Sequence, residues 1–196
     1  MRYLKKHPLL LLTLICVAIF MTHLDALWVN VMEARNFVTA REMLLDSNWL
    51  LTTLNGEPRY QKPPLPTWLS AVSAFFFGIK SVFAMRLPAA LVSVSMVLIA
   101  YIFTKKLTNN NTYAFISSLI LATSFFIVFS GRNGQWDIFT HGFMMAAIYQ
   151  FYMFFSTPEK KYQRMLLAAL FFGCSFMSKG PVSLYALLLP FLIAYG

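Results

Sequence analysis

Acidic side chains are scarce in this chain, seven Asp and Glu against sixteen Lys and Arg, and all seven lie in stretches that also carry cations. Those stretches border long apolar runs. A carboxylate at the edge of an apolar layer is partly desolvated and can take a proton from an attacking hydroxyl. Glu33 is one candidate, although Asn30-x-x-Glu33 also fits a capping-box variant, so both roles stay open. Asp137 is the other. It opens an apolar run, with His141 one helical turn further along the same face. The two suit proton transfer or a metal, and equally a helix cap with a packed histidine behind it. Arg35, Arg59, Lys62, Arg86, Arg132 and Lys179 supply the opposite charge. Such a collar suits a lipid phosphate, with Arg giving a planar fork and Lys a point charge. Snorkelling of each cation to headgroups is the competing reading. The sequence holds no phosphate-binding glycine loop, no metal-spaced His/Cys cluster and no nucleophile elbow, so a nucleotide site is not expected.

The elements that must position these residues are apolar helices. The 196 residues are 59% hydrophobic and 17% aromatic, with a mean hydropathy of +0.64. A soluble domain of this size, burying about 70% of its unfolded surface, leaves too many of the 20 Phe and 11 Met in water. A bilayer removes the problem. Apolar runs occur at 8–24, 64–79, 87–104, 113–129, 138–155, 165–178 and 181–195, against the roughly 20 residues a spanning helix needs. The first follows basic residues like a signal peptide but has no small-residue cleavage site, so it reads as a retained span. Cys16 and Cys174 sit within apolar runs as small hydrophobes, not as a disulfide. The net charge of +9 is spread between the runs and not gathered on one face, so no nucleic-acid partner is expected.

Charge parity sets the topology. If 64–79 does not span, Arg2/Lys5/Lys6, Lys105/Lys106 and Lys160/Lys161/Arg164 share one side, the cytoplasmic one. Residues 25–86 then form a large external loop. Within it, 31–45 reads as an interfacial helix with Ala34, Phe37, Val38, Leu44 and Leu45 on one face, and 64–79 as a second, opened by Pro63, Pro64 and Pro66. Residues 46–60 are rich in turn signals, the strongest being Asn55-Gly56 and Glu57-Pro58. The expected fold is all-α, a polytopic transmembrane helix bundle with interfacial helices in its first external loop. The last apolar run ends at the chain terminus, as in the N-terminal portion of a larger bundle or one completed by a partner.

An ordered string of short motifs adds to this reading. Glu33-Ala34-Arg35, Ala40-Arg41-Glu42-Met43, Asn48-Trp49, Asn55-Gly56-Glu57-Pro58, Lys62-Pro63-Pro64, Trp68-Leu69-Ser70, Arg86-Leu87-Pro88 and Lys179-Gly180-Pro181 follow one another in one register. Together they resemble bacterial transferases related to protein O-mannosyltransferases and the lipid A aminoarabinose transferase. The resemblance implies a GT-C fold in a bacterial inner membrane, with a cytoplasmic N-terminus and a periplasmic active site. It also implies inverting transfer of a sugar from a polyprenyl-phosphate lipid to a lipid, glycan or protein acceptor. Glu33 and Asp137 become the catalytic acids, and Arg35, Lys62 and Lys179 the phosphate contacts. The acid pair usual in the family reads Met32-Glu33 here. Gln61 replaces a glutamate that some relatives associate with a divalent cation, and Asn36 replaces a tyrosine. Two rival readings remain: a transporter or flippase for a lipid-linked anion, and a non-catalytic relative.

Overall fold

Local signals fix where each helix begins in the computed structural model, which describes residues 7–157 and 159–195. Helix α1, Pro8–Phe20, starts on a proline, which costs little because first-turn amides lack intrahelical partners. Asn30 caps α2, Val31–Leu45, by accepting the Glu33 N–H at 2.9 Å. A minimal hairpin follows: β1, Thr53–Leu54, pairs antiparallel with β2, Glu57–Pro58. Its two-residue turn is Asn55-Gly56 with φ of 57° and 79°, the left-handed pair that a type I′ turn demands. Pro66 sits in the first turn of α3, Leu65–Phe77.

Helix α4, Val82–Thr108, is the axle of the bundle. Its 27 residues are capped by Ser81 and ended by Asn109 in the left-handed conformation. At 1.5 Å per residue it is about 40 Å long, more than the ~30 Å hydrocarbon layer. Helices α1, α3, α5 (Asn111–Thr123), α6 (Phe125–Arg132) and α7 (Trp136–Ser156) all pack on it, and α8 (Lys161–Lys179) packs on α7. Small buried residues of α4, among them Ala89, Ala90 and Ser93, let the neighbours approach. Gly142 of α7 crosses so near that a Cβ there would stand 2.4 Å from a Val92 methyl. A Cβ on Gly131 of α6 would meet the Ser93 hydroxyl at 2.2 Å.

By length and composition α4 and α7 can each cross a membrane, and α5 with α6 makes a third span if the bent pair is taken together. The expected straight helix over 113–129 is broken at Ser124, where the backbone is extended and the axis turns by 59°. The bend carries Gly131 into its contact with α4. The last run also differs from a plain helix. Leu184–Leu188 is a π turn, followed by α9, Leu189–Tyr195, and Pro190 explains the wider register because it has no N–H for the usual bond. Helix α3, about 20 Å long, is too short to cross, and it lies against α2 through Phe37, Ala40, Met43, Ala71 and Ala74. Phe75, Phe76 and Phe77 remain exposed at its end, as do Leu10, Leu14, Ile120, Leu166, Leu170 and Ile193 around the bundle. Apolar surface this extensive marks a membrane protein. Arg2, Lys5 and Lys6, used above to argue sidedness, lie outside the described residues.

The close crossings make a contrast in stability. Gly142→Val should lower the thermal unfolding midpoint in detergent, overpacking costing about 1–3 kcal/mol. Gly173→Ala, on a helix face with nothing within 4 Å of the new methyl, should leave it unchanged or raise it slightly.

Candidate functional site

The residues singled out for chemistry gather at one end of the bundle, and a buried ion pair organises them. Glu33, in the first turn of α2, and Arg86, in the first turns of α4, are both fully buried. Arg86 Nε donates to Glu33 Oε1 at 2.6 Å and Nη2 to Oε2 at 2.8 Å, a fork-to-fork pair. Its remaining donors reach the carbonyls of Leu24 (2.5 Å), Leu27 (3.0 Å) and Trp28 (3.4 Å), the segment linking α1 to α2. Burial pushes the Glu33 carboxyl up from the usual carboxylate range, and the Arg86 guanidinium pulls it back. All five guanidinium N–H groups are thereby used.

Two of the expected site residues are thereby engaged with each other. Both Glu33 carboxylate oxygens are held by Arg86 and the side chain has no surface facing solvent. Arg86 has no donor left outside these bonds. Arg132 is also structural: Nη1 donates to the Ile19 carbonyl at 2.5 Å and Nη2 to those of Thr22 and His23 at 2.9 and 3.2 Å, closing the end of α1. Asn36 joins the same framework. Its side-chain carbonyl accepts the Thr67 hydroxyl at 2.6 Å, its amide donates to Ser70 at 3.4 Å, and Ser70 donates to the Met85 carbonyl at 3.2 Å.

Beside this framework opens a cleft of about 360 Å³. Arg35, Arg59 and Lys62 line it, with Met32, Gln61 and Trp136 among the other walls. Arg35 and Glu33 lie two residues apart on α2 but face differently, Arg35 exposed and Glu33 buried. Arg59 is half committed: Nη1 donates to the Arg35 carbonyl at 2.7 Å and the Thr39 hydroxyl at 2.8 Å, and the guanidinium stacks 5.5 Å over the Trp136 ring. Burial, and then the positive charge of Arg35, lower its pKa from the usual guanidinium value. The cations therefore oppose one another until an anion joins them.

The sequence reading missed one member of this cleft, Glu57, treated there only as part of a turn. It lines the cleft and, among the described residues, has no ion-pair or hydrogen-bond partner. The signal was present: Asn55-Gly56 fixes a two-residue turn, which pairs Glu57 with Leu54 and, by strand alternation, turns it to the side of Arg59. The hairpin is anchored on α2, since Glu42 accepts from the Thr53 hydroxyl and, at 2.6 Å, from the Asn55 N–H. Arg59 and Thr52 close its base by a 2.8 Å backbone bond.

Asp137, in the first turn of α7, pairs with Lys179 in the last turn of α8. Trp136, next to Asp137, reaches the cation cleft. Of the six cations expected to form one collar, the structure thus brings Arg35, Arg59 and Lys62 together, pairs Lys179 with Asp137, and places Arg86 and Arg132 in the scaffold. A divalent cation does not fit here. Among the described residues no three Asp, Glu, His or Cys side chains converge, and Gln61 offers a neutral amide amid three positive charges.

A helical membrane scaffold with a cation-lined cleft at one end defines the class. Residues 61–196, more than half the chain, match the family described as dolichyl-phosphate-mannose-protein mannosyltransferase, and the chain belongs to that family. It is 28% identical over 163 residues to undecaprenyl phosphate-alpha-4-amino-4-deoxy-L-arabinose arabinosyl transferase 1 of Proteus mirabilis, covering 82% of this chain and 30% of that protein. An uncharacterized protein of Aquifex aeolicus is 26% identical over 179 residues, 90% of this chain and 35% of its own length. Among solved structures, ArnT from Cupriavidus metallidurans superimposes with a TM-score of 0.82 in the apo state and again bound to undecaprenyl phosphate. Those two match at 20% and 19% identity, each covering 94% of this chain and 35% of the other, and they establish the GT-C membrane fold. The chain spans about a third of the length of the relatives it matches.

The buried pair carries a test. Glu33→Ala strands the Arg86 charge and should cost about 3–5 kcal/mol, seen as loss of the monodisperse folded peak in detergent. Arg86→Ala should be at least as severe, because it also leaves three carbonyls unpaired. Arg41→Ala, which removes one part-buried bond to the Ile79 carbonyl and strands no buried charge, should keep the peak.

Proposed function

We propose that this chain carries the donor site of a membrane glycosyltransferase that moves a sugar from a polyprenyl-phosphate lipid to an acceptor hydroxyl on the external face. The observation that carries the reading is the convergence of Arg35, Arg59 and Lys62 on one cleft with a single unpaired carboxylate, Glu57, on its wall. Family membership and the fold of a relative whose structure holds undecaprenyl phosphate support it.

In this reading Arg35 and Lys62 hold the phosphate, and Arg59 adds Nε and Nη2, its uncommitted nitrogens. The acceptor oxygen attacks the anomeric carbon. The bond from that carbon to the phosphate oxygen breaks, its electron pair passing to the phosphate, which leaves as a monoester whose added charge the cations stabilise. The acceptor proton goes to a carboxylate. Glu57 is the free one in the cleft, while Asp137 is neutralised by Lys179 and orients that side of the site. Met32, 54% exposed where relatives place an acid, contributes contact surface and no charge. The acceptor class, whether lipid, glycan or protein, is set by surface beyond this cleft. The parity of the basic loops supports a cytoplasmic N-terminus in a bacterial inner membrane and a periplasmic cleft.

One specific feature favours a second reading, a lipid-binding relative without transferase activity: Met32 at the lip and Glu33 locked in the scaffold leave the usual acid position without a base.

Binding and turnover in the full-length protein separate the two. Arg35→Ala and Lys62→Ala should each weaken binding of undecaprenyl phosphate by about tenfold or more, as loss of a charged hydrogen bond does. Unchanged affinity in both variants would refute the cleft assignment. With undecaprenyl phosphate-aminoarabinose as donor and a membrane lipid extract as acceptor, Glu57→Gln should reduce turnover by about 10²–10⁴-fold while donor binding is retained. Binding without turnover in the unmodified protein would favour the second reading.

A further inference from the structure

A larger cavity lies at the other end of the bundle, and the transferase reading makes no use of it. It measures about 640 Å³ and opens between the start of α1, the last turns of α4 and the second half of α7. Lys105 lies 19 residues beyond Arg86 on one continuous helix, so the cavity is about 28 Å from the buried ion pair along the axis. That is close to the ~30 Å thickness of a hydrocarbon layer. One end of α4 therefore serves one leaflet and this cavity serves the other.

Its lining is amphipathic. Leu9 and Ile102, both partly exposed, give it apolar lining. Lys105, Lys106, Asn109 and Tyr149 supply the polar rim. No carboxylate lines it, and neither lysine has an ion-pair partner among the described residues. The left-handed Asn109, with φ of 51°, ends α4 at this rim. Two cations at a helix C-terminus complement its dipole, which explains their presence but not the cavity with its apolar lining.

We propose that this cavity is a binding site for an anionic glycerophospholipid in the leaflet opposite the donor cleft. The headgroup phosphate lies between Lys105 and Lys106, Asn109 and Tyr149 donate to its glycerol and ester oxygens, and an acyl chain follows Leu9 and Ile102. Basic pockets between membrane helices select anionic headgroups in this way. The site does not depend on glycosyl transfer, and its occupant steadies the packing of α1, α4 and α7 from the far side.

The test uses the full-length protein in detergent, titrated with phosphatidylglycerol, phosphatidylcholine or inorganic phosphate and read by native mass spectrometry. The unmodified protein should retain phosphatidylglycerol at least fivefold more tightly than phosphatidylcholine. The double variant Lys105→Ala/Lys106→Ala should lose that preference, and Lys105→Arg/Lys106→Arg should keep it. Lys160→Ala/Lys161→Ala, basic residues at the same end but outside the cavity, should also keep it. Three results overturn the proposal: equal retention of the two lipids, equal loss in the control pair, which would mean general electrostatic attraction, or displacement of phosphatidylglycerol by millimolar inorganic phosphate, which would mean an anion site without a lipid component.

Discussion

The arrangement of this chain depends on one buried contact, the Arg86 guanidinium closed around the Glu33 carboxylate and three backbone carbonyls. Neither charge is tolerable alone in that setting, since an unpaired ion removed from water costs several kcal/mol. Together they join three segments: the exit of α1, the head of α2 and the first turns of α4. The position of Arg35 follows from that junction, because it lies two residues along α2 from the fixed carboxylate and on the other side of the helix. The hairpin is then tied to α2 through Glu42 and Arg59, and it brings Glu57 and Lys62 to the same opening. A cleft built from loop residues thereby gains the rigidity of a membrane helix.

The same contact explains how an acidic residue can be prominent in the sequence and yet be buried in an ion pair. Glu33 has the spacing of a cap, the neighbourhood of a base and the burial of a scaffold residue. Asn30 does cap α2, but it takes the Glu33 amide, while the side chain turns inward to Arg86. The proposed chemistry uses the residues that the scaffold leaves unsatisfied. Three cations with little to neutralise them, beside a carboxylate free of partners, describe a surface prepared for an anion and a proton.

Much of the architecture was legible because a membrane simplifies the reading. Apolar runs located α4, α7 and α8, prolines located the start of α3, and Asn55-Gly56 located the hairpin turn. The bend at Ser124 was not read from the sequence, since Thr123-Ser124 is a short polar pair without Gly or Pro; the close approach of Gly131 to Ser93 that accompanies it is a tertiary fact. The cleft was legible in part. Arg35, Arg59 and Lys62 could be named from their charge at a membrane boundary, but charge alone could not separate them from Arg86 and Arg132. Those two satisfy carbonyls that belong to distant segments, 58 to 62 residues away for Arg86 and 109 to 113 for Arg132. Pairing over such distances leaves no local trace in composition or spacing.

The proposed function requires a lipid phosphate to rest in the cleft. The most direct measurement is an experimental structure of the full-length protein with undecaprenyl phosphate, solved in a lipid nanodisc. The account predicts phosphate density bridged by the Arg35 guanidinium and the Lys62 ammonium, with Arg86 still closed on Glu33. Phosphate density elsewhere, with Arg35 and Lys62 turned to solvent, would contradict it.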